Sequence, residues 1–564
     1  MDYQRILILL GLAVTSYLLI LAWNEDYGQG RTPDIKEVSS EGVSNIPSAP
    51  TYNTDALPPG SIPRTIDHKD LIPTIESTES RRPAEVVSLE TDRFIRVTTD
   101  VLELTLDKHG GDITSVSLRK YPTNIETPDE PLVLVDPRNA YSAQSGLIGP
   151  NATDTAAGRP MFSSYSNEYE LGEDDELIVE LSFAQEDGVW IVKEYIFKRS
   201  DYLIDIKYTI ENETDRDWTG AVYAQIKRDS QDPHNKDTNV MGMRPFVGGA
   251  TSTEDAPYHK LEFDDIEEST FDDSHVGGYI ALVQHYFVSA FVPNDEVEHK
   301  YRARKLLDQD IYIFTFTSPL WTVLAGSKDE QLFQYYVGPK DQYRLGEIAA
   351  GLDLTIDYGI LWWLAQPLFY LLTTIQQYVA SNWGVAIMLL TCCVKAVMYP
   401  LSNTAYRSMA KMRKLQPEMK RLKEQYGDDR QKFSQGMMAL YKNSGTNPLG
   451  GCLPMLLQMP VFVALYWVLL ESVELRQAPF MLWIYDLSVM DPYFVLPILM
   501  GISMYFVTML QPPPPDPMQA KILKMMPIMF TFLFLWFPAG LVLYWLVNNV
   551  LSVLQQWYVI RKYG

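Results

Sequence analysis

A single lysine interrupts an apolar stretch in the second half of this 564-residue chain, within "TCCVKAVMYPLS" (Thr391–Ser402). Lys395 lies about five residues from the polar end of that stretch, roughly 7 Å along a helix, and Thr391 lies one turn before it. A charge inside a membrane costs about 3 kcal/mol on insertion scales and is normally paired or hydrated. Two interpretations follow: the amine reaches the lipid headgroups along its apolar stem, or it faces a polar cavity.

Polar residues in the other apolar stretches favour the cavity. They are Gln458, Ser503, Thr508, Asn548, Asn549 and Gln555. No Asp or Glu lies deep in any of these stretches, and the nearest, Glu471, stands at the end of one. Without an anionic partner in the chain, Lys395 is predicted to face water, and its counter-charge is expected to belong to a substrate.

The charge distribution divides the chain into two parts. The net charge is -24, but residues 359–564 contain 16 Lys and Arg against 9 Asp and Glu, a net charge of +7, so residues 1–358 carry -31. A chain of this length is expected to form more than one structural unit. The three cysteines, Cys392, Cys393 and Cys452, all lie in the apolar second part and are interpreted as small apolar residues.

The N-terminus predicts a membrane anchor followed by a tether. About 18 apolar-rich residues, Ile6–Trp23, are enough to span a bilayer. The following "ILAWNED" lacks the small residues of a cleavage site, which favours an uncleaved signal anchor (1–23) over a cleaved signal peptide. Arg5 precedes the span and acidic residues follow it, so the N-terminus is expected in the cytoplasm. Residues 24–84 are rich in Pro, Ser, Thr and acidic residues and predict a disordered tether.

Residues 85–345 show the alternation of β-strands. Leu102, Leu104 and Leu106 alternate with polar residues, and a similar run covers residues 202–210. Asp187-Gly188 between two such runs predicts a hairpin turn. This region is expected to form a large all-β sandwich outside the cytoplasm.

Charge also fixes the predicted membrane topology of the second part. Residues 405–442 hold ten Lys and Arg against four Asp and Glu, so they are expected in the cytoplasm. Of the two apolar stretches before them, 357–378 contains Trp362 and Trp363 and predicts an interfacial helix on the outer surface. "FPAG" at Phe537–Gly540 breaks the last stretch in two. Within 379–564 the predicted transmembrane helices are 380–400, 449–470, 493–510, 522–536 and 539–559. With the N-terminal anchor they make six, and both termini are cytoplasmic.

The basic segment 405–442 predicts a pair of amphipathic helices, broken near "GDD" at Gly427–Asp429. Apolar residues of its first helix recur at steps of three and four: Met409, Met412, Leu415, Met419, Leu422 and Tyr426. Two interpretations remain open, a solvated surface with a packed stripe, or a docking surface for ribosomal RNA, lipid headgroups or a partner protein.

Several long motifs resemble the YidC/Oxa/Alb family of membrane protein insertases, in its long form with a large periplasmic domain. They include "NWGVAIMLLTCCVKAVMYPLS", "SMAKMRKLQPEMKRLKEQYGDD", "NPLGGCLPMLLQMPVFVALY", "SVELRQAPFMLWIYDLS" and "LWFPAGLVLYW". In the first part "HGGDITSVSLRKYP" and "YSAQSGLIG" are similar to the family's periplasmic β-supersandwich. The resemblance covers essentially the whole chain.

The resemblance implies a membrane protein insertase and chaperone of the bacterial inner membrane, acting alone or with the Sec translocon. In the family, a hydrophilic groove open to cytoplasm and lipid carries a basic residue that attracts acidic residues of the incoming segment. That segment then slides into lipid along the third and fifth helices. The groove here is expected to involve Lys395, Thr391, Gln458, Ser503, Asn549 and Tyr544, and the cytoplasmic hairpin Met409, Met412, Arg413, Lys420 and Arg421. The implied partners are nascent membrane proteins, the Sec translocon with its accessory subunits, the ribosome and membrane lipids. No DNA, cofactor or metal is expected, nor enzyme activity.

The sequence departs from the family pattern at two places. The groove residue is usually arginine, and lysine keeps its charge without the fork geometry, which favours a wet groove and bulk attraction. The chain ends in "RKYG" without the longer basic tail of some relatives, so ribosome docking by such a tail is not expected.

Two other functions are alternatives to an insertase: a polytopic transporter, and carbohydrate binding or an enzyme activity in the first part of the chain. A polytopic transporter would usually pair the lysine with acidic residues and show repeated halves. Carbohydrate binding or an enzyme activity in residues 1–358 would require a binding, metal or catalytic site in that part of the chain. The seven histidines show no metal-like spacing and no G-x-S-x-G motif occurs. They are His68, His109, His234, His259, His275, His285 and His299.

Overall fold

A computed structural model describes residues 92–231, 245–306, 309–426, 429–444, 453–511 and 517–563. The predicted signal anchor (1–23) and tether (24–84) lie outside these residues. Within them, a β domain is followed by a helical part. This agrees with the predicted division of the chain into a β-rich first part and a helical second part.

The β domain consists of two sheets, with 11 and 9 strands among the described residues. In chain order the strands are β1 (Phe94–Thr98), β2 (Leu102–Asp107), β3 (Asp112–Asn124), β4 (Thr127–Val135), β5 (Ser142–Ile148), β6 (Ser163–Ser164), β7 (Glu168–Glu170), β8 (Glu176–Ala184), β9 (Val189–Lys198), β10 (Leu203–Asn212), β11 (Trp218–Arg228), β12 (Gly248–Thr251), β13 (His259–Leu261), β14 (Phe271–Val276), β15 (Ile280–Val283), β16 (Phe287–Val292), β17 (Glu298–Lys305), β18 (Tyr312–Thr317), β19 (Trp321–Val323) and β20 (Ser327–Pro339).

The strand order gives an almost entirely antiparallel sandwich. The first sheet has the order β14-β17-β18-β11-β5-β3-β2-β1-β7, with β19 on β11 and β4 on β3. The second has the order β13-β12-β15-β16-β20-β10-β9-β8-β6. Only the short pair β1 and β7 is parallel among the described pairings. Because strands distant in the chain lie side by side, the domain requires nearly all of residues 94–339 to form.

The predicted alternation is confirmed in the burial of the strands. Leu102, Leu104 and Leu106 are at most 1% exposed and face the core between the sheets. The turn at Asp187-Gly188 joins β8 to β9, and Gly188 has a φ of +98°. A side chain would be strained in that left-handed conformation, so the glycine suits this hairpin.

Ten helices follow or interrupt the strands in the described part of the chain. They are α1 (Phe263–Glu268), α2 (Gln342–Ile348), α3 (Trp362–Tyr378), α4 (Trp383–Lys414), α5 (Gln416–Tyr426), α6 (Arg430–Asn443), α7 (Leu453–Glu471), α8 (Val495–Leu510), α9 (Pro517–Leu533) and α10 (Ala539–Tyr563). Short 3-10 turns occupy Pro137–Asn139, Leu352–Thr355, Gly359–Leu361, Val473–Leu475 and Phe534–Trp536. The helices lie within or close to the ranges expected from hydropathy, with two differences.

The first difference concerns α4, which continues 14 residues beyond the predicted end at residue 400. The residues expected to begin the cytoplasmic hairpin therefore belong to this long helix. Its buried face continues because Tyr406 and Met409 pack against Val559 of α10. The helix ends at Lys414, and α5 begins two residues later at Gln416 with Pro417 in its first turn, where proline is tolerated because its missing N–H would have no partner within the helix.

The second difference concerns α9. It begins at Pro517 instead of Ile522, and its 17 residues cover about 26 Å at 1.5 Å each. The predicted fifth span therefore gains a turn at its polar end. At its other end the α-helix stops at Leu533, a 3-10 turn covers Phe534–Trp536, and α10 starts at Ala539.

The segment that follows α7 packs on the β domain. Val473 is 4% exposed and belongs to the core cluster of the sandwich. Next to it, burial, with a smaller contribution from the nearby Asp341 carboxylate, raises the pKa of the Glu474 carboxyl to about 7. A carboxyl group with a raised pKa makes the folded state bind its proton more tightly than the unfolded chain does.

We expect the stability contributed by Glu474 to be complete below pH 4.5, its ordinary pKa, and to be lost as the pH rises to about 7. Glu474→Gln removes this dependence, so the variant should match the parent near pH 4.5 and exceed its free energy of unfolding at pH 8 by up to about 3 kcal/mol. Denaturant unfolding of the purified protein at both pH values measures the difference. Glu330→Gln, an exposed position on β20, is the control. Equal effects of the two substitutions at pH 8 would contradict the assignment.

Candidate functional site

Helix α10 lies at the centre of the polar residues of the helical part. It packs against α4, α8 and α7, and a polar side chain of α10 bonds to each of these three helices. Tyr544, Asn549 and Ser552 provide these contacts. The first and the last of them are eight residues apart, or about 12 Å along the helix.

Lys395 of α4 contacts α10 through a hydroxyl group. Its Nζ donates a hydrogen bond to Ser552 Oγ at 2.8 Å, and Ser552 Oγ donates in turn to the Asn548 carbonyl at 2.7 Å. Lys395 is half-buried, whereas Ser552 is 7% exposed. One neutral oxygen therefore holds the ammonium group, and this oxygen is itself fixed by the α10 backbone.

The other predicted groove residues form two further links. Asn549 Nδ2 donates to Ser503 Oγ of α8 at 3.1 Å, and Gln458 Nε2 of α7 donates to Tyr544 Oη. Thr391, one turn from Lys395, is fully buried and donates to the Ile387 carbonyl of its own helix at 2.7 Å. All six predicted groove residues thus lie on the four packed helices α4, α7, α8 and α10, and each of them makes a hydrogen bond.

Some buried polar atoms around this site have no hydrogen-bond partner within the described residues. They include Asn548 Oδ1 and Gln556 Oε1 on α10. Buried polar groups are almost always satisfied by protein or by ordered water, and a polar site of this kind can hold water. The polar face of α10 thus suits a hydrated environment better than a dry apolar seam.

The charge of Lys395 is not balanced by a carboxylate among the described residues. Among the described residues no carboxylate lies within 4 Å of the Lys395 Nζ, so its charge is not neutralised by the chain. An ammonium group has three donors, and Ser552 takes one. The other two donors of the Lys395 ammonium are thus left for water or for an acidic ligand. No group of three or more His, Cys, Asp or Glu residues is placed to hold a metal in the described part of the chain.

The predicted hairpin residues divide between two environments. Met409 and Met412 are buried on α4, and Gln556 Nε2 lies 3.8 Å from the Met409 Sδ. Arg413, at the end of α4, is exposed, as are Lys420 and Arg421 on α5. Met409 therefore belongs to the seam between α4 and α10, Met412 is buried on the same helix, and the three basic residues are the members of this set that lie at the surface.

One Ser–His–Asp arrangement occurs in the β domain, although no sequence motif predicts it. His275 Nε2 lies 2.9 Å from Ser252 Oγ, and its Nδ1 lies 3.0 Å from Asp273 Oδ2. Ser252 and His275 are 6% and 8% exposed, and the Tyr279 N–H also donates to the serine hydroxyl. The arrangement gives a substrate no access to the hydroxyl, so we interpret it as part of the packing of β12 and β14.

Sequence reasoning missed Ser552, the direct partner of Lys395. A signal was present, because Ser552 follows Asn548 by four residues and Asn549 by three, so all three share one face of a helix. Serine is common inside the apolar stretches of membrane helices, so its presence at 552 alone does not identify it as a partner of Lys395. Only the packing of α4 against α10 identifies it.

Comparison with known proteins supports the same division of the chain. A family model described as YidC periplasmic domain matches residues 94–371, and one described as 60Kd inner membrane protein matches residues 374–564. The membrane protein insertase YidC of Cellvibrio japonicus is 49% identical over 566 residues, covering 100% of this chain and 99% of that protein. The YidC of Ectopseudomonas mendocina is 47% identical over 587 residues, covering 100% and 98%.

Among solved structures, one described as an active YidC insertase with the first transmembrane domain resolved covers 83% of this chain and 93% of its own, at 19% identity and a TM-score of 0.38. The full-length relatives at nearly half identity, together with the two matched family models, decide the assignment. The chain belongs to the YidC family of membrane protein insertases.

Proposed function

We propose that this insertase attracts the polar, acidic part of an incoming membrane protein segment to Lys395, between α4, α8 and α10. One observation carries the proposal: the Lys395 ammonium is held by a single neutral hydroxyl, with no carboxylate nearby among the described residues. A half-buried cation without a counter-charge favours water or an anionic ligand. An acidic tail that passes through the membrane needs such a group for only a short time.

The apolar surface of the helices supports lipid contact beside this site. Ile498, Ile502 and Phe506 of α8 are about half exposed, and Ile528 and Phe532 of α9 are each 64% exposed. Contiguous apolar surface of this kind is rare on soluble monomers and marks a membrane or partner contact. A segment released from Lys395 would find lipid along these two helices.

We further propose that α4, α7, α8, α9, α10 and the N-terminal segment span the membrane, with both termini in the cytoplasm and the β domain in the periplasm. Helix α4 is long and apolar enough to cross a bilayer. The basic residues between Arg407 and Lys442 favour a cytoplasmic position. The helix α3, with exposed Trp362 and Trp363, suits the outer membrane interface.

Nascent membrane proteins are the substrates that this function requires. We propose the Sec translocon, the ribosome and membrane lipids as further partners. The exposed basic residues of α5 and α6 support a contact with anionic lipid headgroups or ribosomal RNA, because clustered Lys and Arg attract phosphates over several ångströms. Helices α5 and α6 together are called the hairpin; it excludes the residues of α4.

The site is expected to contain water that is continuous with the cytoplasm. In a variant without Cys392, Cys393 and Cys452, Lys395→Cys should react with a membrane-impermeant maleimide added from the cytoplasmic side. Val397→Cys, two residues away and 80% exposed, is expected to face lipid and should not react, because apolar surroundings raise the pKa of a thiol and so disfavour the reactive thiolate. Arg407→Cys is the positive control. Labelling at 407 without labelling at 395 would rule out a wet groove.

The charge of Lys395 is expected to decide which tails enter. Attraction between unit charges at about 4 Å is near 1 kcal/mol in water and about 4 kcal/mol at an effective dielectric of 20. Lys395→Arg should therefore preserve insertion, whereas Lys395→Glu should fail most for acidic tails and less for neutral ones. Protease protection of single-span substrates that differ only in tail charge gives the measurement. Arg407→Glu, a charge reversal on the exposed part of α4, is the matched control. Equal handling of both tails by Lys395→Glu would show that the lysine only reaches for headgroups.

Deleting the hairpin leaves the contact between α4 and α10 intact only if the deletion begins after the end of α4 at Lys414. Replacing residues 416–443 by a flexible Gly/Ser linker keeps Tyr406, Met409 and Met412 in place. We expect this variant to remain folded and membrane-bound but to lose insertion, because the hairpin recruits substrate. Extraction, proteolysis and insertion assays check the three expectations. Normal insertion would leave the hairpin a solvated surface.

A further inference from the structure

The loop between α7 and α8 turns its charged groups inwards. Residues 478–494, hereafter the apolar loop, contain no Lys, Arg, His or Glu and only two aspartates. Asp491 is 1% exposed and accepts hydrogen bonds from the Trp483 indole N–H at 3.0 Å and from two backbone N–H groups. Asp486 is half-buried and accepts from the N–H and the hydroxyl of Ser488 at 2.8 and 2.6 Å. Neither carboxylate is presented at the surface of the loop.

The exposed side chains of the apolar loop are all apolar or aromatic. They are Pro479, Met481, Leu482, Tyr485, Val489, Met490, Pro492, Tyr493 and Phe494. An apolar surface of this size without a charge is rare on proteins that face only water, and it marks a contact with a membrane or a partner. The loop thus has the reverse of the arrangement expected in water, with acidic groups inside and apolar groups outside.

Leu482 has a backbone conformation that leucine rarely adopts. Its φ of +57° lies in the left-handed region. It is the second residue of a turn that is closed by a hydrogen bond from the Ile484 N–H to the Met481 carbonyl at 3.1 Å. Glycine, asparagine or aspartate is favoured at such a position, and a leucine there is strained. Because the side chain is 73% exposed, packing within the protein does not account for the leucine, whereas contact with an apolar ligand does.

The backbone of the apolar loop is bonded to the neighbouring helices. Asn382, directly before α4, donates from Nδ2 to the carbonyls of Pro479 and Phe480 at 3.1 and 2.9 Å. The first two N–H groups of α10 donate to two further loop carbonyls at 2.7 and 2.9 Å. Backbone groups need such partners wherever lipid replaces water. The loop is therefore fixed to the bundle and suited to surroundings with little water.

The apolar loop continues the exposed apolar face of α8. Helix α8 has 16 residues and covers about 24 Å, which is less than the roughly 30 Å of a hydrocarbon core. Ile498 and Leu499, near the start of α8, are 50% and 44% exposed. The apolar surface thus extends from the helix onto the loop. In the topology proposed above, this end of α8 lies at the outer leaflet.

We propose that the apolar loop is immersed in the outer leaflet of the bilayer, with Leu482 among the upper parts of the acyl chains. Tyr485 and Tyr493 suit the same depth, because a tyrosine ring is apolar and its hydroxyl can reach the headgroups. Lipid is favoured over a protein partner because the exposed residues of the loop include no arginine and no other charge, whereas protein interfaces are enriched in arginine and have a polar rim. The inference rests on α7 and α8 being membrane spans, and it involves neither Lys395 nor the β domain.

The test measures the surroundings of residue 482. In the variant without native cysteines, Leu482→Cys carries a nitrobenzoxadiazole fluorophore, and the protein is placed in nanodiscs of phosphatidylethanolamine and phosphatidylglycerol. Lipids with a nitroxide near the headgroup end of the acyl chain should lower the fluorescence at least twofold, and aqueous iodide should have little effect. Leu324→Cys is the matched control, because this leucine is 62% exposed and precedes β20 at the end of that strand distant from α7. Its probe should be quenched by iodide and not by the lipids.

A substitution that suits the turn separates lipid contact from damage to the fold. Asparagine tolerates the left-handed backbone, so Leu482→Asn keeps the turn and removes the apolar side chain. With the probe at Tyr485→Cys, Leu482→Asn should lower quenching by the lipids and raise quenching by iodide, each at least twofold. Leu324→Asn should change neither. Unchanged quenching in Leu482→Asn would contradict an immersed Leu482.

A probe at Ile502→Cys, on the exposed face of α8, distinguishes this inference from the proposed spans. Lipids with a nitroxide near the end of the acyl chain should quench it. Quenching at 502 together with iodide access at 482 would overturn the immersed loop and leave the spans in place, whereas no lipid quenching at either position would contradict the spans themselves. A probe at 482 that iodide reaches in pure lipid, but not when other proteins of the native membrane are included, would identify a protein partner and also overturn the proposal.

Discussion

An ammonium group inside a bundle of apolar helices needs acceptors, and the arrangement of polar residues around α10 depends on this requirement. The Lys395 Nζ finds one acceptor in Ser552, and that hydroxyl is oriented by its own bond to the Asn548 carbonyl. No further acceptor for the ammonium is found among the described residues, and an unsatisfied buried charge is far more unfavourable than a hydrated one. A wet opening beside α4 is the simplest structure that meets this condition.

The polar pairs on either side of Lys395 have a different role. Asn549 with Ser503, and Gln458 with Tyr544, join α10 to α8 and α7 with both partners satisfied. Hydrogen bonds between helices in a membrane contribute modestly, about 0.6 to 2 kcal/mol each, but they fix rotation and height. The site thus combines a rigid frame with one charged group that keeps free donors, an arrangement suited to transient binding.

The sequence was sufficient to predict that the chain divides into a β domain and a helical part. Alternation, hydropathy and charge each depend on residues close together in the chain. Asp187-Gly188 predicted its hairpin because the turn requires a left-handed backbone that glycine supplies. The end of α4 was not predictable in this way. Its polar residues beyond 400 look like the start of a separate helix, and only the packing of Met409 on Val559 shows that the helix continues. Ser552 was missed for the same reason: a partner on another helix leaves no signal in the local pattern.

Three lysines of this chain show how surroundings decide function. Lys193, fully buried in the β domain, donates to the carbonyls of Gly110, Gly111 and Ser145, so its three donors are used. Lys340 is neutralised by Glu471 at 2.5 Å. The first lysine has all three donors used and the second has its charge matched, and both are buried, so neither is placed to bind a ligand. Lys395 has a single neutral acceptor among the described residues, and it lies beside a surface suited to lipid. The distinction comes from unused donors and from a charge without a counter-charge among the described residues, which is the condition that the proposed attraction of an acidic segment requires.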